Sequence, residues 1–210
     1  MSFKISNHND ILSLITNLTD RINKLEEQNI ELTTKIENIQ KSNKNVSNHS
    51  SKIIIQHLEN RELPSILYNE WIEYSFTLIP SKLEIVFEND LLKGICSLLK
   101  DSIENFESSP ICAYNKKKHI FYYYNNEKEE WEILENKKFD EMIHRICYHF
   151  LKVFKTCWYD VNVQKINTQE EYKNMYNSYY MKILGGEKMS DETFHNRIRK
   201  NFYESIKENV

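Results

Sequence analysis

Glycine and proline are nearly missing, with three of each in 210 residues. A turn-rich all-β fold needs many more of both, so their scarcity excludes that class and favours long helices. Cysteine is sparse too. Cys96, Cys112, Cys147 and Cys157 show no CxxC pairing, which predicts free thiols in a reducing compartment rather than a disulfide framework. No run approaches the ~20 apolar residues that a bilayer span requires. The first residues, MSFKISNHNDILSLI, lack a basic stretch followed by an apolar one, the mark of a secretory leader. The expectation is an intracellular protein with no membrane association. A formal net charge of -3 gives no strong field of either sign over the whole chain, so any nucleic-acid contact must come from local patches.

What is present first is a periodic front segment. Ile11, Ile15, Leu18, Ile22, Leu25, Asn29, Leu32, Ile36 and Ile39 are spaced alternately four and three apart, the heptad repeat. Ile15, Ile22 and Ile36 fall at a, with Leu18, Leu25 and Leu32 at d. Ile at a with Leu at d suits a parallel two-stranded coil. Asn29 occupies an a position, where its amide finds a partner only in its counterpart across the axis. That weakens the seam but fixes register, orientation and strand number. Ile11 and Ile39 at d leave a trimer open as the alternative. Four heptads make a rod of about 43 Å at 1.5 Å per residue. Residues 1–40 are therefore expected to be a coiled-coil oligomerisation helix, with self-association through 11–39.

The next stretch, KSNKNVSNHSS, is polar, and 41–51 reads as a flexible linker. From about residue 52 aliphatic and aromatic residues become dense, which places a globular domain at 52–210. Within it ELPSILYNEWIEYSF predicts a short helix with Pro64 in its first turn. Ser81 with Glu84 reads as a capping box. Asp90 caps a helix whose face is Leu91, Ile95, Leu98, Leu99 and Ile103. The period then changes. ICAYNKKKHIFYYYNNEKEEWEIL predicts a hairpin or three short strands near 111–115, 119–125 and 130–134. Asn136 is read as the cap of a long helix with an inward face running from Phe139 to Cys157. Thr168 and Glu171 suggest a second capping box, Gly185-Gly186 a helix stop, and Ser190 the cap of a last helix facing inward with Phe194, Ile198, Phe202 and Ile206. The expected class is α+β, mostly helical: a long coiled-coil helix, then a helical domain carrying a small antiparallel sheet.

Two stretches, SSPICAYNKKKHIFYYYNNEKEEWEIL and YYMKILGGEKMSDETFHNRIRKNFYESI, resemble proteins of nucleocytoplasmic large DNA viruses that join a coiled coil to a C-terminal domain of this character. The resemblance implies a viral protein acting in the host cytoplasm or viral factory. It implies no catalytic residues. Some longer relatives carry an N-terminal DNA-binding module in place of the coil.

Sites of chemistry are few. His144, Cys147 and His149 cluster in HRICYHF, but His149 points away from the other two on a helix, leaving too few ligands for zinc. A Cys147–His144 nucleophile has no Gly-rich oxyanion loop near it. No cofactor motif is found, and the expected role is non-enzymatic. Two basic clusters are the candidates for nucleic-acid contact: Lys116, Lys117 and Lys118 with His119, and Arg197, Arg199 and Lys200. The strand after the first cluster alternates Ile120, Tyr122 and Tyr124 with Phe121 and Tyr123. That predicts burial on both faces and removes most of the stacking platform. The reading that follows is a self-associating protein with an unidentified protein partner, and nucleic-acid binding as its rival.

Overall fold

The structure is a computed structural model. It describes residues 8–186 and 190–210, and along the first helix the side chains of 15–29, 31–35 and 50–59. The chain divides into two compact units, Met1–Lys52 and Ile53–Val210.

The first unit is formed by helix α1, which runs His8–Glu59 and ends inside the second unit. The tether expected at 41–51 is helical instead. Composition explains the difference. The stretch has no glycine or proline, and its Lys, Asn and Ser residues each cost at most ~0.7 kcal/mol in a helix. Extending a helix already nucleated on both sides is far easier than starting one. Along α1, Thr19 and Thr33 donate their hydroxyls to the carbonyls of Ile15 and Asn29 at 2.9 and 2.8 Å. Lys35 and Glu31 pair at 2.5 Å one turn apart.

The second unit is α+β and mostly helical. Helix α2, Tyr68–Leu78, starts after Leu67, with Glu70 accepting from the Leu67 N–H. Pro64 therefore lies in the approach, outside the first turn. A tight 3-10 turn at Ile79–Lys82 leads to the short α3, Leu83–Glu88. Ser81 bonds back to the Leu78 carbonyl and caps nothing, so the expected box is absent. Helix α4, Leu91–Glu104, is capped by Asp90, whose carboxylate accepts from the Lys93 N–H at 2.8 Å.

Strands β1 (Ile111–Tyr114), β2 (Phe121–Asn125) and β3 (Glu130–Ile133) form the expected antiparallel set. A two-residue strand β4, Lys207–Glu208, adds itself parallel to β1, giving the order β3-β2-β1-β4. The sheet is therefore mixed and four-stranded. Two residues carry no periodicity, so β4 had no signal in the sequence.

Helix α5 covers Asn136–Phe154, with Glu135 and not Asn136 at the cap position. A wide π turn, Lys155–Tyr159, joins it to α6, Asp160–Thr168. The π turn shifts the helical phase, and Cys157, expected on the inward face, is exposed. Helix α7, Glu170–Ile183, follows Gln169, while the Thr168 hydroxyl bonds to the Gln164 carbonyl in the helix before it. The second expected box is thus also absent. Gly185 and Gly186 both take positive φ, 95° and 79°, and their N–H groups bond to Lys182 and Met181 carbonyls, closing α7. Ser190 caps α8, Asp191–Ile206, as its sequence indicates.

The sheet is covered on both sides. Ile111, Ala113, Phe121 and Tyr123 face the main core with α2, α4, α5 and α8. Cys112, Tyr114 and Tyr122 face a second cluster built by Ile54 and Leu58 of α1. Period-two alternation sends neighbouring strand residues to opposite faces, so the aromatic run in β2 feeds two cores at once. Arg61 closes the second cluster. It makes two bonds to Glu208, at 2.7 and 2.9 Å, and lies over the Trp131 ring.

Candidate functional site

On α1 the described members of the heptad stripe stand open. Ile15, Leu18, Ile22, Leu25 and Leu32 keep between 47% (Leu18) and 57% (Leu25) of their surface exposed. Asn29 is exposed among them. The side chains of Ile36 and Ile39 lie outside the described residues. Five large aliphatic side chains on one stripe of one helix are a costly surface in water. At ~25 cal/mol per Å² of apolar area, covering them is strongly favourable.

The two basic clusters meet in part. Lys116–Lys118 occupy the tight connection between β1 and β2, where the Lys117 N–H bonds to Tyr114 and that of Ile120 to Lys117. The turn ends at His119, which takes φ 60° and sets its ring edge-on to Tyr203 at 5.0 Å. On α8, Asn196, Arg199, Lys200 and Tyr203 share one face by three- and four-residue spacing. A groove of about 390 Å³ runs between these elements, lined by His119, Ile120, Asn136, Asn196, Arg199 and Lys200. Arg197 does not line this groove. Arg199 lines it with its charge already matched: it reaches Asp140 at 2.8 Å and Asn196 at 2.9 Å and sits over the Phe139 ring. Lys200 is the exposed cation in its lining, and Lys116 and Lys118 are exposed in the turn that leads to His119. Asp140 was missed by sequence reasoning, since an acid near the start of a helix is ordinary.

No protein-family model, curated protein or solved structure matches this chain.

In the Cys/His cluster, His144 and Cys147 line one cleft with His195, while His149 lies elsewhere. Burial pushes the Cys147 thiol up to about 12, so it carries its proton at neutral pH. Cys96 and Cys112 are raised the same way, to about 11 and about 12. His149 stacks flat on Phe76 with ring centres 3.8 Å apart, while His144 meets His195 edge-on at 4.6 Å. Among the described residues no group of three or more His, Cys, Asp or Glu side chains is placed to hold a metal ion. No helix among them is long and apolar enough to cross a membrane.

His195 is buried, with Nδ1 3.2 Å from Asp140. Burial lowers its pKa, and this outweighs the opposing pull of Asp140. His149 is lowered by burial and then by Lys152. A base whose folded pKa lies below its unfolded value of about 6.5 holds fewer protons in the fold. Its contribution is complete above about pH 6.5 and is lost as pH falls from there through the lower folded value. Urea midpoints at fixed protein concentration are therefore expected to drop between pH 7.5 and 5.5, and to drop less in His149→Phe, which keeps the stack on Phe76. A flat profile over that range would contradict lowered pKa values for the buried His195 and the half-buried His149. Glu132, held near 2 by Lys128, Asn125 and Tyr123, adds a further loss only below its unfolded value of about 4.5.

Proposed function

We propose that this chain is a non-enzymatic, self-associating interaction protein of the viral type its sequence resembles, acting inside the host cell. The front of α1 pairs two chains in parallel, a three-stranded coil being the alternative, and each chain carries one copy of the 53–210 unit. The open stripe of Ile15, Leu18, Ile22, Leu25 and Leu32 supports this reading most directly. Pairing doubles whatever surface the second unit offers and raises avidity without any new contact. Light scattering tests it. The full-length chain is expected at twice its monomer mass, and Leu18→Lys with Leu25→Lys at the monomer mass with the 53–210 unit still folded. A full-length monomer would end the proposal.

A second reading has its own support in the groove that joins the Lys116–His119 turn to the Arg199 and Lys200 face of α8. It is a nucleic-acid-binding accessory role. Each lysine on a phosphate adds about 0.7 to 0.9 to the slope of log affinity against log salt. Changing Lys116, Lys118 and Lys200 together to Gln is expected to lower that slope and weaken retention on DNA and RNA columns. No retention of the unaltered protein at ~50 mM salt would discard this role.

A further inference from the structure

The π turn at Lys155–Tyr159 shapes the wall of a cleft that neither reading uses. The Asp160 N–H bonds to the Lys155 carbonyl five residues back, and the Lys155 N–H is shared between the Leu151 and Lys152 carbonyls. Phe154 and Trp158 stay stacked at 5.5 Å, both in edge contact with Phe87, while Tyr159 swings to meet Tyr176 of α7 at 5.3 Å. π turns recur at functional sites because they re-aim side chains in this way. Phe154, Tyr176 and Tyr180 form a triangle of rings, Phe154–Tyr176 at 6.3 Å and 17°, Tyr176–Tyr180 at 5.6 Å and 18°, and Phe154–Tyr180 at 6.5 Å and 34°. Tyr148, Leu151, Lys152 and Lys155 complete a cleft of about 410 Å³. That is within the ~300–1,000 Å³ of small-molecule sites.

The lining selects a charge. Aromatic walls can hold either a flat ring or a cation. A cation would meet Lys152 and Lys155, and no carboxylate among the described residues lines the cleft. Lys155 is already held by Asp160 at 3.2 Å, whereas Lys152 makes no ion pair among the described residues. We propose that this cleft binds a small planar aromatic anion, its ring against the Tyr176–Tyr180 pair and its acid group on Lys152. Tyrosine suits the task, since only two torsions must be fixed when a ring becomes a contact.

A matched pair of dyes tests the charge and the wall separately on the full-length chain. 8-Anilinonaphthalene-1-sulfonate is expected to bind at one site per chain, about ten-fold tighter than its uncharged counterpart N-phenyl-1-naphthylamine. Lys152→Gln should remove that preference and leave the uncharged dye unaffected. Tyr180→Ala, at a surface position, should weaken both by about ten-fold, the usual scale for one stacking ring. Circular dichroism melts that match the unaltered protein show that both variants fold. Equal binding of the two dyes to the unaltered chain would make the cleft merely apolar and overturn the proposal. So would full retention of both dyes by folded Tyr180→Ala. Displacement by AMP as against 1-naphthoate then tells a nucleotide from a carboxylic acid.

Discussion

Trp71→Ala is expected to lower the unfolding free energy of the second unit by about 3–5 kcal/mol. The indole is fully buried, stacked on Phe202 at 6.4 Å and 12° and tilted against Tyr68 at 5.9 Å. Its Nε1 donates to Ser102, with the hydroxyl at 3.1 Å and the carbonyl at 3.3 Å. One side chain thus ties α2 to α4 and to α8. Truncation leaves a cavity that three helices cannot close together, and it takes a donor from Ser102. A domain of this size has ~5–15 kcal/mol in all, so the loss is a large share. Trp71→Phe keeps a ring against Phe202 and gives up the hydrogen bond, worth about 1 kcal/mol, together with some packing. Urea denaturation of both variants checks the ranking. An Ala variant that loses less than the Phe variant would show that the ring is not what joins the three helices.

Asn29→Ile is expected to raise the thermal midpoint of the assembled chain and to change its strand number. Asn29 interrupts a stripe whose other described members are Ile and Leu. In a coil its amide must be desolvated against its counterpart, while isoleucine there would gain about 1.5–3 kcal/mol per chain on burial. That gain removes the one polar contact that distinguishes registers, so the variant can also pack as a trimer. Melting by circular dichroism at fixed concentration reads the first effect, because the midpoint of an oligomer moves with concentration. Light scattering reads the second. An unchanged strand number would show that Asn29 does not choose it.

Local signals were legible where one residue does one job. Asp90 and Ser190 cap the helices that follow them, and Gly185-Gly186 ends α7 through positive φ. The three strands were readable because FYYY breaks the helical period. Ser81 and Thr168 failed as caps for a shared reason. Each hydroxyl sits at the end of an earlier helical turn and satisfies itself on a carbonyl three or four residues back. The backbone over 41–51 is helical although its composition is polar, because nothing there breaks a helix. For the basic groove, the sequence supplied Arg199 and Lys200 and the turn before His119, but not Asn136 or the role of Asp140 in matching Arg199. Those depend on how α5 approaches α8, which no local spacing encodes. The tyrosine cleft was invisible for the same reason: its rings come from two helices and a π turn, and the phase shift appears only when the carbonyls have partners.

The last turns of α1 have a practical bearing on how the second unit can be cut free. Ile54 and Leu58 roof the far face of the sheet over Cys112, Tyr114 and Tyr122. A fragment begun at Leu63, after the end of that helix, would leave the plate of rings and a thiol without these two side chains. Such plates stick to one another, and the product would gather in inclusion bodies for want of two aliphatic side chains carried by the end of a helix that begins in the other unit.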